Sequence, residues 1–417
     1  MRELPSRRVS LVVTLVAGLV FAVLAAVLVP WHWLPGGHVE AAPAGRVFSA
    51  DQIARGEHVS GLLRHTGWAN LAVGLVAGLL LGLTRAGSWL VRRLPGPWPA
   101  KVVLGTLAVS VVGTLAVLPL SWRSQHVERE YGLSRQGWGP WLQDQALSVL
   151  VTSAFTAVAL VVVAWIARRA PRTWPAWAAG AAVVLTFAGS FVYPVAVEPL
   201  FNDFTSMPAG QLRTDILALA KKENVHVSDV LVADASRRTT TLNAYVSGFG
   251  STRRVVVYDT LLTGLPRDQV EVVIAHELGH ARHHDVLVGT VLGAAGSAFG
   301  IGLLGLLLGS ERLLRRSGSS GMADPRAIPL VLALVAVGML LASPLENTIS
   351  RAVEARADRS ALEATGSTDA FVEMQRNLAL RSLADPTPPR LSQFWFGSHP
   401  TALQRIGMAE EMARQGR

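Results

Sequence analysis

The sequence predicts a mainly α, polytopic membrane protein with about seven transmembrane helices and one small α+β soluble domain. Three observations predict it. Half of the 417 residues are apolar and only 16% are charged, against about a quarter in an ordinary soluble domain. Seven stretches are long and apolar enough to cross a bilayer, which takes roughly 20 residues. Between the fifth and the sixth, the pattern changes to short β-branched runs and polar segments of helical period.

The spans lie near 9–29, 67–84, 102–121, 145–167, 175–196, 286–309 and 327–346, and none has Lys or Arg in its middle. Gly74, Gly78 and Gly82, and Gly289, Gly293, Gly296 and Gly300, recur at spacings that let membrane helices approach closely. The first span follows Arg2, Arg7 and Arg8. At about 21 residues it exceeds the roughly 7–15 of a secretory signal and reads as an uncleaved anchor. The spans divide the chain into 1–196 (five spans and loops), 197–285 (soluble), 286–346 (two further spans) and 347–417 (soluble, mainly helical). In 197–285, Gln211–Glu223 has helical period, Val230–Ala233 and Arg254–Tyr258 read as strands, and Asp268–His284 reads as a helix. Ser343-Pro344 resembles a helix start, with Ser as cap and Pro at the first helical position.

A net charge of +9 can signal a nucleic-acid partner. Here the basic residues gather in short loops beside apolar stretches, so they read as topology signals for the lipid bilayer, and no nucleic acid is expected. The absence of cysteine excludes disulfides, thiolate metal sites and a cysteine nucleophile.

The chemistry concentrates in His276-Glu277-Leu278-Gly279-His280. Histidines four apart share one helical face and can share an ion. Neutral imidazoles suit Zn2+, and Glu277 stands where a general base would take a proton from water. Gly279 leaves room for close packing. A catalytic zinc normally has three protein ligands and one open position, so a third is needed. His283 and His284 would have to reach back and crowd the site. Glu354 is the better candidate. It shares a helical face with Asp358, four residues on, so one carboxylate can bind the ion while the other holds a ligand histidine. A solvated face paired with Arg351, Arg356 and Arg359 fits the same spacing equally well.

These residues resemble the type I CAAX prenyl proteases, integral-membrane zinc endopeptidases of the gluzincin kind. The resemblance runs over most of the length. It rests on Pro199-Leu200-Phe201-Asn202, Asn243-Ala244-Tyr245, Val257–Leu262, the His-Glu-Leu-Gly-His run, Glu354 with Asp358, Ser398-His399-Pro400, and Glu130–Leu133 with Asp144. It implies that His276, His280 and Glu354 bind one zinc ion, that Glu277 is the general base, and that Asp358 is a catalytic or supporting acid. It implies that His399 stabilises the tetrahedral oxyanion. Arg405 would support the carboxylates and is counted, with Asn243 and Ala244, among the substrate-binding residues. An extended substrate would add to the Asn243–Ala244 strand edge by main-chain hydrogen bonds. The family's seven helices enclose a wide chamber.

Two features bear on setting. The tail and the second, fourth and sixth loops hold fourteen basic residues (Arg2, Arg7, Arg8; Arg85, Arg92, Arg93, Lys101; Arg168, Arg169, Arg172; Arg312, Arg315, Arg316, Arg326) against Glu3, Glu311 and Asp324. Positive loops stay cytoplasmic, so the zinc domain is expected on the other side, whereas eukaryotic family members face it to the cytosol. The composition, rich in Ala, Gly, Val, Leu and Arg and poor in Lys, points to a bacterial cell membrane. CAAX processing, membrane-protein quality control and release of a membrane-proximal peptide are then all open. A scaffold would have lost Glu277 or a histidine, and a transporter would carry ionisable residues inside its spans.

Overall fold

The computed structural model describes residues 4–32, 40–248 and 250–416; Arg2 and Glu3 of the basic tail lie outside them. The chain is polytopic. The helices are α1 (Arg7–Leu28), α2 (Ala44–Val47), α3 (Ala50–Leu83), α4 (Arg85–Arg93), α5 (Trp98–Glu130), α6 (Trp138–Arg169), α7 (Trp174–Val192), α8 (Glu198–Phe201), α9 (Gln211–Lys222), α10 (Asp259–Gly264), α11 (Arg267–Arg282), α12 (Asp285–Leu308), α13 (Glu311–Ser317), α14 (Ile328–Thr365), α15 (Thr368–Arg381), α16 (Arg390–Phe396) and α17 (Ala402–Arg414). Seven of the helical segments among the described residues are long and apolar enough to cross a membrane. They begin with α1, α3, α5, α6, α7, α12 and α14, matching the seven expected spans.

Several of these helices outrun the bilayer. The 38 residues of α14 make a rod of about 57 Å, nearly twice the roughly 30 Å hydrocarbon layer. The expected helix start at Ser343-Pro344 does not exist. Both residues lie inside α14, so the boundary drawn at 346/347 falls within one continuous helix. Proline removes one N–H and orphans the carbonyl four residues back. Here that carbonyl is Leu340 O, and the indole Nε1 of Trp395 donates to it at 3.0 Å. The Trp395 carbonyl in turn accepts from Ser343 Oγ and Asn347 Nδ2, each at 2.6 Å. A partner from α16 thus repairs the break that the local sequence announces.

The soluble part holds a four-stranded sheet of β1 (Phe204–Ser206), β2 (Asp229–Ala233), β3 (Ala244–Ser247) and β4 (Arg254–Tyr258), in the order β1-β2-β4-β3. β2 and β4 are parallel and the other pairs antiparallel. Period-two alternation sends Val230, Val255 and Val257 into the main core with α9 and α11, and Leu231, Ala233 and Val256 to the other face. α11 is buried along most of its length; Ile274 and Leu278 are fully enclosed, each burial stabilising by about 1.5–3 kcal/mol. At Gly279 an added Cβ would stand 3.0 Å from Ser360 Cβ and 3.3 Å from Ala357 O. A side chain there would press on α14, so glycine favours this close approach of α11, as expected from sequence.

Candidate metal centre

α11 presents His276 and His280 on one face, and α14 brings Glu354 opposite them. Ligand atoms of the three lie within 4.8 Å of one another. The two Nε2 atoms are 3.2 Å apart. Glu354 Oε2 is 3.2 Å from His276 Nε2, and Oε1 is 3.5 Å from His280 Nε2. Atoms bound at about 2.0–2.1 Å to one tetrahedral ion stand about 3.3 Å apart, so these edges fit. Glu354 Oε2 is also buried and completes no hydrogen bond of good geometry with the imidazoles beside it, and two imidazole nitrogens with a carboxylate form a donor set suited to zinc.

The outward-facing nitrogens are fixed from behind. His276 Nδ1 is 2.9 Å from Asp358 Oδ1. Arg405 clamps Asp358 through Nε to Oδ2 at 2.7 Å and through Nη2 to Oδ1. His280 Nδ1 is 2.8 Å from Asp285 Oδ2, and Arg356 pairs with the other oxygen of Asp285. Each histidine therefore stands before an aspartate, and each aspartate before an arginine. Burial alone would pull the His276 imidazole down, but Asp358 and Glu354 at its two ring nitrogens push it up to about 10. Metal binding requires the neutral imidazole, so protons and a metal ion compete for His276.

Glu277 makes no hydrogen bond or ion pair among the described residues, and burial raises its carboxyl against the pull of His276 and His280. His399, from the loop between α16 and α17, places Nε2 3.3 Å from Glu354 Oε2. A capping box of Thr401 and Gln404 starts α17 and sets Arg405 in its first turns.

Not every expectation survives. Asp358 is fully buried, with its oxygens taken by His276 and Arg405, which favours the supporting over the catalytic role of the two expected of it. Arg405, expected among substrate-binding residues, is 12% exposed and turned onto Asp358. His283 and His284 point to other partners. His283 Nε2 meets Ser360 Oγ at 3.1 Å, and His284, at φ +56°, meets Arg253. Asp285 and Arg356 as a brace were missed. Asp285 lies across the helix break after α11, where helical spacing gives no guidance. The strand edge is in place: Asn243 O accepts from Tyr258 N at 3.0 Å, so antiparallel alternation turns the main-chain groups of Ala244 and Val246 away from β4.

Fold and site together define an integral-membrane metallopeptidase. Residues 206–413 match the model of peptidase family M48, and residues 64–203 match that described as CAAX prenyl protease N-terminal, five membrane helices. The chain belongs to peptidase family M48. It is 30% identical over 346 residues to the uncharacterized metalloprotease YhfN of Bacillus subtilis, covering 82% of this chain and 80% of that one. It is 25% identical to CAAX prenyl protease 1 of Saccharomyces cerevisiae, over 72% and 69% of the two chains. The crystal structure of S. mikatae Ste24p superposes with a TM-score of 0.78 at 19% identity, covering 96% of this chain and 99% of that one; it shows the fold.

Proposed function

We propose that the chain is a zinc endopeptidase cutting an extended peptide laid along the free edge of β3. The carrying observation is the centre itself: three ligand atoms spaced 3.2–3.5 Å apart, beside a Glu277 that makes no hydrogen bond or ion pair among the described residues. Zinc held by His276, His280 and Glu354 supplies Lewis acidity that polarises the scissile carbonyl and makes water acidic near neutral pH. Glu277 accepts a proton from the attacking water and returns it to the leaving amine. His399 donates to the oxyanion of the tetrahedral state from the rim of the site. Asp358 with Arg405, and Asp285 with Arg356, hold the two histidines in the tautomer that points Nε2 at the ion. The main-chain groups of Ala244 and Val246 pair with the substrate backbone, and the Asn243 side chain stands exposed at the start of that edge.

The relatives named CAAX prenyl protease suggest a peptide joined to a membrane anchor. The proposed chemistry itself reads only extended backbone, which suits quality control of membrane proteins equally. The test is the purified Glu277→Gln chain: it retains one zinc per chain by elemental analysis and cleaves no peptide. Cleavage at the wild-type rate overturns the mechanism.

A further inference from the structure

We propose that the end of the molecule remote from the metal centre is a docking surface for anionic phospholipid headgroups, which sets the metal centre on the outer side of a bacterial cell membrane. The proposal does not depend on the reaction above.

Four separate segments build this end: the tail before α1, α4, the turn between α6 and α7, and α13 with the turn after it. They form one body. Ser6 N donates to Arg172 O at 2.8 Å. Gly318 packs on Arg85 and Ser88, and Gly87 on Pro329. Trp174, Leu314 and Met322 share one apolar cluster, with Leu4 packed against it. The alternation of seven spans thus collects every positive loop into a single cap.

Its charge is lopsided. Of the basic residues counted there from sequence, all but Arg2 are among the described residues; of the three acids, Glu311 and Asp324 are described and Glu3 is not. Both acids are already taken: Glu311 by Arg315 at 2.9 Å and Asp324 by Arg326 at 2.8 Å. Arg92, Arg312 and Arg316 are exposed and pair with no carboxylate among the described residues. At the opposite end several arginines are paired internally, in Arg64–Asp385, Arg213–Asp229 and Arg238–Asp144.

The cap also carries interfacial aromatic residues. Arg93 stacks on Trp89 at 4.1 Å, Arg168 on Trp98 at 4.7 Å and Arg169 on Trp165 at 5.4 Å. Tryptophan favours the headgroup level, and a guanidinium over its face is held at that depth. α4 buries Gly87, Ser88 and Val91 while Trp89, Arg92 and Arg93 stay exposed, as a helix lying in the interface does. Unpaired arginines at that depth attract anionic headgroups, and loops of this charge remain cytoplasmic.

The absence of cysteine makes a direct test possible. Single cysteines replace two exposed alanines, Ala218 on the soluble domain and Ala86 on α4. In intact bacterial cells a membrane-impermeant maleimide is expected to label Ala218→Cys and to reach Ala86→Cys only after permeabilisation. The reverse pattern overturns the orientation. For the lipid, the full chain is titrated in detergent with phosphatidylglycerol or phosphatidylcholine, and bound lipids are counted by native mass spectrometry. Phosphatidylglycerol is expected in excess, and a triple Arg92→Gln, Arg93→Gln, Arg316→Gln chain should lose that excess several-fold with phosphatidylcholine unchanged. Equal retention of both lipids, or an unchanged excess in the triple variant, overturns the docking surface.

Discussion

At the catalytic end, charged groups are buried and spent on one another: His276 on Asp358, Asp358 on Arg405, His280 on Asp285, Asp285 on Arg356. At the remote cap, charged groups are exposed and mostly unspent. One end uses charge to hold atoms still and the other to meet a surface. A buried ion pair is sensitive to the loss of one partner, because the other is left uncompensated. An exposed arginine is not, because water replaces what it loses.

Substitutions can break or sharpen this contrast. Glu354→Ala should abolish both metal retention and cleavage, read together by elemental analysis and a peptide assay; retained metal would remove Glu354 from the ligand set. His399→Ala should lower kcat by about 10²- to 10³-fold with metal content intact. Asp358→Asn, which leaves Arg405 buried without its counter-charge, should cost up to about 100-fold in zinc affinity and lower the Tm. Asp285→Asn keeps an acceptor for His280 Nδ1 but drops the charge facing Arg356, so a loss nearer 10-fold in zinc affinity is expected. A chelator competition series ranks the last two, and equal losses would erase the distinction between the fully buried brace and the one at the mouth of α12. Least affected should be Arg92→Gln with Arg93→Gln. Cleavage of a soluble peptide in detergent is expected to stay within about twofold, since exposed charges contribute little; a large loss would show that the cap acts on the site.

Much of this was legible in the sequence. Seven spans follow from apolar length alone, and the helix carrying His276 and His280 follows from period and motif. Glu354 and Asp358 were visible as a pair, though their spacing fitted a solvated face equally well until geometry put one on the ligand nitrogens and the other behind His276. What escaped shares one cause: the partners are non-local. Asp285 meets His280 across a helix break with His284 at φ +56°. Trp395 completes α14 from 55 residues away. β1 and β3, at three and four residues, are too short for alternation to register. Pro344 misled because its local signal is genuine and only a distant indole cancels it.

That repaired helix has a mechanical consequence. Because α14 runs unbroken through Pro344, its membrane-spanning half and Glu354 belong to one shaft. Glu346 is its first acidic residue, and Glu354 stands eight residues beyond, about 12 Å along the axis. An extended peptide covers that height in roughly four residues. Under the proposed function this shaft would act as a ruler: for a substrate anchored in the same bilayer, the bond presented to the metal centre would be one a few residues clear of the surface, and thinning or thickening the membrane would shift which bond that is.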